Sequence, residues 1–239
     1  MKTKSDVRPD DVIAKTAGIT AVLFDLDGTL IDTIDHILAS FRHATEVVFG
    51  KALPDDVLMR NVGIPLKAQM HEFTDCEQVA EELLREYRSF NHACHDEMAK
   101  LYPGTLGVLV DIHGRGVPMG IVTSKSTPMA LRGIELFGLG GYFDVVVTSD
   151  DVSRHKPDPY PVLHAAALLG VPAGNCAYVG DSPHDVEAGR AAGAVTVAVT
   201  WGVADAVRLR AASPDFILDD IADLPGLLFG QREPSDERA

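Results

Sequence analysis

Six short runs of uninterrupted apolar residues punctuate the chain, at positions 19–24, 118–123, 145–148, 176–179, 195–200 and 216–218. The first is closed by Asp25. Continuous apolar runs of this length, without in–out alternation, predict strands buried on both faces. Helical signals lie between them. Thr127-Pro128 reads as an N-cap followed by proline at the first helical position, with Ile134 and Phe137 at apolar spacing and Gly138 as the stop. Asp158-Pro159 repeats the signal, followed by Val162, Leu163, Ala166 and Leu169, with Gly170 as the stop. Strand, helix, strand, helix predicts an α/β fold, a doubly wound parallel sheet with right-handed crossovers.

One stretch breaks the alternation. From 33 to 99 the apolar positions follow a helical period and no strand is evident. Ile34, Ile37, Leu38, Phe41, Thr45 and Val48 form one face; Val79, Leu83, Leu84, Tyr87 and Phe90 form another. This predicts an all-helical domain, residues 33–99, inserted into an α/β core made of residues 1–32 and 100–239. Tyr102-Pro103-Gly104 marks the return. Hinges are expected near 30–33 and 99–104. The charged tail, 231–239, is expected to fray.

Composition narrows the functional classes. Among 239 residues, 35 Asp and Glu outweigh 21 Lys and Arg, a formal net charge of −14. That excess disfavours sequence-blind nucleic-acid binding, which depends on cationic contacts to phosphates. It leaves a phosphorylated small molecule open, because a metal ion inverts the local field. No apolar run approaches a membrane span, and the polar start lacks the apolar core of a secretory signal. Cys76, Cys94 and Cys176 form no disulfide framework, so a cytoplasmic protein with reduced thiols is expected.

Ligands of open parallel sheets bind outside the carboxyl ends of the strands, so the residues there belong together. Asp25-Leu26-Asp27-Gly28-Thr29 closes the first strand, with two carboxylates at i and i+2 on one side and a glycine that permits a turn. Thr123, Ser124 and Lys125 close the second, offering hydroxyls and backbone donors. Gly180-Asp181-Ser182-Pro183-His184-Asp185 follows another strand, its carboxylates at i and i+4. Hard oxygen donors at a strand end suit Mg²⁺. Lys156 precedes a rigid Pro157-Asp158-Pro159 turn. Each segment alone also has an ordinary explanation: an Asp-Gly turn, helix capping by Thr123, Asp181 or Ser182, a solvated surface lysine.

Taken in order, the four segments resemble the haloacid dehalogenase (HAD) superfamily of phosphohydrolases, over nearly the whole chain. Motif one is Asp25-x-Asp27-Gly28-Thr29, motif two Thr123 with Ser124 beside it, motif three Lys156, and motif four Gly180-Asp181-x-x-x-Asp185. The inserted helices are similar to the family's small cap. The resemblance implies a Rossmann-like core and a phosphatase acting through an aspartyl-phosphate. Asp25 would be the nucleophile and Asp27 the general acid and base. Mg²⁺ would be held by the Asp25 carboxylate, the Asp27 carbonyl and Asp181, with Asp185 binding directly or through water. Lys156, Thr123, Ser124 and the Gly28–Thr29 loop would contact the transferred phosphoryl group.

The presence of Asp27 argues against the namesake dehalogenases, and the lack of membrane spans against ion-pumping relatives. The segments at 120–125, 143–148 and 149–152, with Gly63-x-Pro65-Leu66, look like phosphoglycolate phosphatases and equally like HAD inorganic pyrophosphatases. A phosphoglycolate-type phosphomonoester is the leading expectation, with pyrophosphate or a sugar phosphate (as in the phosphomutases) as alternatives. A phospho-ligand sensor without turnover is a reading from a different class. The substrate partner is expected to be a small phosphorylated metabolite, and the protein a monomer or homodimer. Arg42, Arg60, Lys67 and His71 are the cap residues expected near the leaving group; Trp201 and Cys176 are expected to pack.

Overall fold

A computed structural model describes residues 9–230; the expectation for the tail lies outside them. In chain order the elements are α1 (Pro9–Thr16), β1 (Ala21–Phe24), β2 (Ile31–Asp32), α2 (Ile34–Phe49), α3 (Asp55–Leu58), α4 (Leu66–His71), α5 (Glu77–Met98), β3 (Lys100–Leu101), α6 (Thr105–Gly114) and β4 (Met119–Val122). There follow α7 (Thr127–Leu136), β5 (Val145–Val147), α8 (Tyr160–Leu168), β6 (Cys176–Gly180), α9 (Pro183–Ala192), β7 (Val195–Val199), α10 (Ala206–Ala212), β8 (Phe216–Leu218) and α11 (Leu224–Phe229).

Six strands form one parallel sheet in the order β5-β4-β1-β6-β7-β8. β1 is central and wholly buried. Its side chains alternate between two cores, as the period of two requires. Val22 and Phe24 pack with Leu109 and Ile112 of α6, Ile134 of α7 and Leu224 of α11. Ala21 and Leu23 pack with Val162 and Ala166 of α8 and Ala188 of α9. Both faces are covered, which is why these strands read as unbroken apolar runs. The chain winds outward from β1 through β4 and β5, then returns to the other side through β6, β7 and β8. That reversal opens a crevice at the carboxyl ends of β1, β4 and β6.

Residues 34–98 carry four helices with their own apolar cluster, built on Phe41, Ala44, Leu58, Met70, Leu83 and Tyr87. The segment joins the core through β2 and β3, an antiparallel pair of two residues each. Strands so short leave no periodic trace, and the sequence pattern did not show them. Between α2 and α5 the packing is also polar. His36 and Ser40 face Asn91 and His95, and all four are buried. His36 Nε2 lies 2.9 Å from the Asn91 carbonyl oxygen, and Asn91 Nδ2 donates to Ser40 Oγ at 3.1 Å.

Two helix starts differ from the sequence expectation. Ser126, not Thr127, stands at the N-cap of α7, and the Thr127 amide donates to Asp150 in the loop after β5. α8 begins at Tyr160, whose amide donates to Asp158. Neighbouring loops and Asx turns set these boundaries, which a helical period does not reach.

Candidate active site

The crevice holds a cavity of about 270 Å³ roofed by the inserted helices. Of the residues singled out from sequence, Asp25, Asp27, Thr123, Ser124, Lys156 and Asp181 line it. Gly28, Thr29 and Asp185 do not; they stand behind the lining and shape it.

Lys156 lies at the centre. Its ammonium donates to Asp25 Oδ1 at 2.9 Å and to Asp185 Oδ1 at 2.6 Å, and all three groups are buried. Burial opposes the charge on Lys156, but Asp185 and Asp25 raise its affinity for the proton well above the ordinary value. Asp185 is engaged on both oxygens. Oδ1 also accepts from the Tyr178 hydroxyl at 2.9 Å, and Oδ2 accepts from the Ser182 amide (3.0 Å) and hydroxyl (2.5 Å). Ser182 and Asp185 thus form a capping box that starts α9. Burial works against its ionisation, yet Lys156, Ser182 and Tyr178 hold Asp185 below the usual carboxylate range.

Asp181 has different surroundings. Its Oδ2 accepts from the Val203 amide at 2.6 Å, and the Thr29 hydroxyl stands 3.5 Å from Oδ1. A Cβ on Gly28 would lie 2.1 Å from Asp181 Oδ2, and one on Gly202 would lie 2.2 Å from the same oxygen. Both positions must be glycine for the carboxylate to fit. Gly28 also has φ +80°, where L side chains are strained, and its amide donates to the Ile31 carbonyl. Trp201 packs against Tyr102 and donates from its indole to the Thr29 carbonyl at 3.1 Å, pinning the loop after β1.

Asp25, Asp181 and Asp185 present oxygens that all lie within 4.8 Å of one another. Burial, opposed by Lys156, pushes the Asp25 carboxyl up to about 7. Burial, and then the charges of Asp185 and Asp25, push Asp181 well above its ordinary value. Three buried acids share one ammonium, and that imbalance together with hard oxygen donors fits a divalent cation.

Asp27 is separate from this cluster. Its Oδ1 accepts from the Lys125 ammonium and the Thr33 hydroxyl, each at 2.6 Å. Burial would raise its pKa, but Lys125 and Thr33 hold it below the ordinary value. Lys125, Thr33, Tyr178 and Gly202 were missed as site residues from sequence. Lys125 adjoins motif two, which was the one signal available; Thr33 and Tyr178 lie only six and seven positions from Asp27 and Asp185, but the fold of the intervening loop, not a residue pattern, brings each pair together. Ser124 Oγ donates 2.5 Å to the carbonyl of Gly63, tying the core to the roof.

The roof corrects the expectation for the cap. Arg42 pairs with Asp55 on the outer surface and Arg60 with Asp56, and neither lines the cavity. His71 pairs with Glu77 outside it. Lys67 does line it, joined by Gln69, Tyr87, Arg88, Asn91 and His92.

The family model for haloacid dehalogenase-like hydrolases matches residues 22–199. The chain belongs to this family. It is an enzyme, a HAD phosphohydrolase. It is 38% identical over 206 residues to a pyrophosphatase PpaX from Bacillus velezensis, covering 86% of this chain and 94% of that protein. It is 38% identical over 210 residues to the PpaX of Bacillus cereus, covering 88% and 96%. A hydrolase from Pseudomonas syringae superposes with a TM-score of 0.80 at 27% identity, covering 87% of this chain and 97% of that one.

Proposed function

We propose that this phosphohydrolase is a cytoplasmic, Mg²⁺-dependent pyrophosphatase that works through an aspartyl-phosphate on Asp25. The observation that carries the reading is the cavity itself, in which Asp25, Lys156 and Asp181 meet Asp27, with Asp185 directly behind them. Its volume, at the small end for ligand sites, suits a substrate of few heavy atoms. The similarity to proteins named pyrophosphatase supports pyrophosphate over phosphoglycolate.

Asp25 and Asp181 have oxygens to spare for a metal, whereas Asp185 is occupied in orienting Lys156 and capping α9. Bound there, Mg²⁺ supplies charge that keeps these acids ionised and draws electron density from the phosphoryl oxygens. A carboxylate oxygen of Asp25 forms a bond to phosphorus while the bond to the leaving oxygen breaks. Lys156 and the Thr123 hydroxyl stabilise charge on the transferred group. Water then attacks phosphorus, its proton passes to Asp27, and Asp25 is released with inorganic phosphate.

The state of Asp27 bears on the substrate. Lys125 and Thr33 hold it as a carboxylate, the form that takes the proton from water. A departing phosphate needs a proton less than a departing alcohol does, so an ionised Asp27 suits pyrophosphate better than an alkyl phosphomonoester. The test is phosphate release across pyrophosphate, phosphoglycolate, sugar phosphates and p-nitrophenyl phosphate, with and without Mg²⁺. Pyrophosphate is expected to give the highest kcat/KM, and Asp25→Asn to abolish turnover. A phosphomonoester preferred over pyrophosphate by about tenfold overturns the substrate assignment; turnover by Asp25→Asn overturns the mechanism.

A further inference from the structure

The cavity has two ends of different character. The core end carries the carboxylates and Lys156; the roof presents Arg88 and His92, one turn apart on α5. In an acidic chain a cation near a cavity is ordinarily neutralised by its neighbours. Lys67 is paired with Glu77 at 3.0 Å, Lys125 with Asp27 at 2.6 Å, and Lys156 with Asp25 and Asp185. On the same helix Arg85 reaches Glu82 and Glu86. Arg88 has no carboxylate partner among the described residues, although it lines the cavity.

We propose that Arg88, with His92 beside it, forms a subsite for a second oxyanion, one carried on the leaving group of the substrate. The inference rests on the phosphohydrolase reading above and deepens it. A guanidinium presents two parallel N–H donors that match a phosphate or carboxylate edge, and an unpaired one loses no existing ion pair on binding. The buried stripe of α5, Leu83, Tyr87, Asn91 and His95, packs against the other roof helices. Arg88 and His92 each follow a stripe residue by one position, so they sit at its edge, where the roof meets the crevice. Burial, and then the charges of Arg132 and Arg88, hold the His92 imidazole below its ordinary value. A substrate gripped there and at Lys156 spans core and roof, so that a second anion selects the substrate. Pyrophosphate and phosphoglycolate both meet this requirement, one with a phosphoryl group and the other with a carboxylate.

The measurement is a ratio, kcat/KM for pyrophosphate over kcat/KM for p-nitrophenyl phosphate, whose leaving group carries no second anion. Arg88→Ala is expected to lower the ratio by about tenfold or more, and Arg88→Lys to recover part of it. Arg85→Ala, one turn away on the outer face, is expected to leave it unchanged. Phosphoglycolate run in parallel separates the sources: a loss confined to pyrophosphate assigns a phosphoryl subsite, an equal loss assigns a general oxyanion subsite. A folded Arg88→Ala enzyme that keeps the wild-type ratio overturns the subsite and leaves the pyrophosphatase reading standing. A wild-type enzyme that favours neither anionic substrate over p-nitrophenyl phosphate overturns both.

Discussion

Gly28→Ala tests whether the loop after β1 controls the carboxylates proposed to hold Mg²⁺. The new Cβ would lie 2.1 Å from Asp181 Oδ2, whereas real Cβ contacts essentially never fall below 3.0 Å. One group must therefore move by about 0.9 Å, the difference between those two distances. The loop cannot yield freely, because the Gly28 amide is bonded to Ile31 and the Thr29 carbonyl to Trp201. Asp181 moves instead, at the expense of its 2.6 Å bond from the Val203 amide. Losing that bond, and leaving its donor without an acceptor, costs roughly 1–3 kcal/mol. Placing an L residue at φ +80° adds about 1–2 kcal/mol. The expected destabilisation is thus about 2–5 kcal/mol, measured by urea denaturation. In protein that remains folded, a displaced Asp181 should raise the Mg²⁺ concentration for half-maximal phosphate release by about tenfold or more. A Gly28→Ala enzyme with wild-type stability and a wild-type Mg²⁺ midpoint would refute the reasoning.

Other expectations follow from the same contacts. Asp181→Asn should raise the Mg²⁺ requirement more than Asp185→Asn, whereas Asp185→Asn should lower kcat at saturating Mg²⁺ by loosening Lys156; the reverse order in a Mg²⁺ titration would exchange their roles. Burial and the Lys125 charge lower the His36 imidazole to about 4, against an ordinary value of 6.5. The unfolded chain therefore binds the extra proton between those values, so this group's contribution to stability is lost as pH falls through the window and returns as pH rises. The raised carboxyls of Asp25 and Asp181 work in the opposite direction over the same range, so the readout is the difference between wild-type and His36→Gln urea midpoints from pH 4 to 7, which should widen in favour of the variant as pH falls. Cys76 is exposed, while Cys176 is buried with its thiol pushed up to about 11 by burial. A thiol reagent should label Cys76 in the native protein and Cys176 only on unfolding, as read by mass spectrometry; prompt labelling of Cys176 would contradict its burial.

The parts of this protein that a linear reading captured are those whose causes are local. Strands covered on both faces must be apolar throughout, so 21–24 and 176–180 were visible as runs. Asp25, Asp27, Asp181 and Asp185 were legible because chemistry at a strand end needs particular residues at short spacing. What tertiary structure decided was which side chains face one another across long separations. Lys125 reaches Asp27 over 98 positions, and Thr29 reaches Asp181 over 152. Tyr178 read as one more strand residue until its hydroxyl met Asp185. The roof was the least legible part. Its helices were plain from their period, but the period does not say which edge of a helix meets the crevice. Arg42 and Arg60 found Asp55 and Asp56 on the outer surface, leaving Arg88 on the cavity side. The buried stripe of α5 also continues through Asn91 and His95, polar residues that hydropathy assigns to solvent. Packing against α2 placed them inside, because His36 and Ser40 face them there, and that packing turned Arg88 and His92 toward the active site.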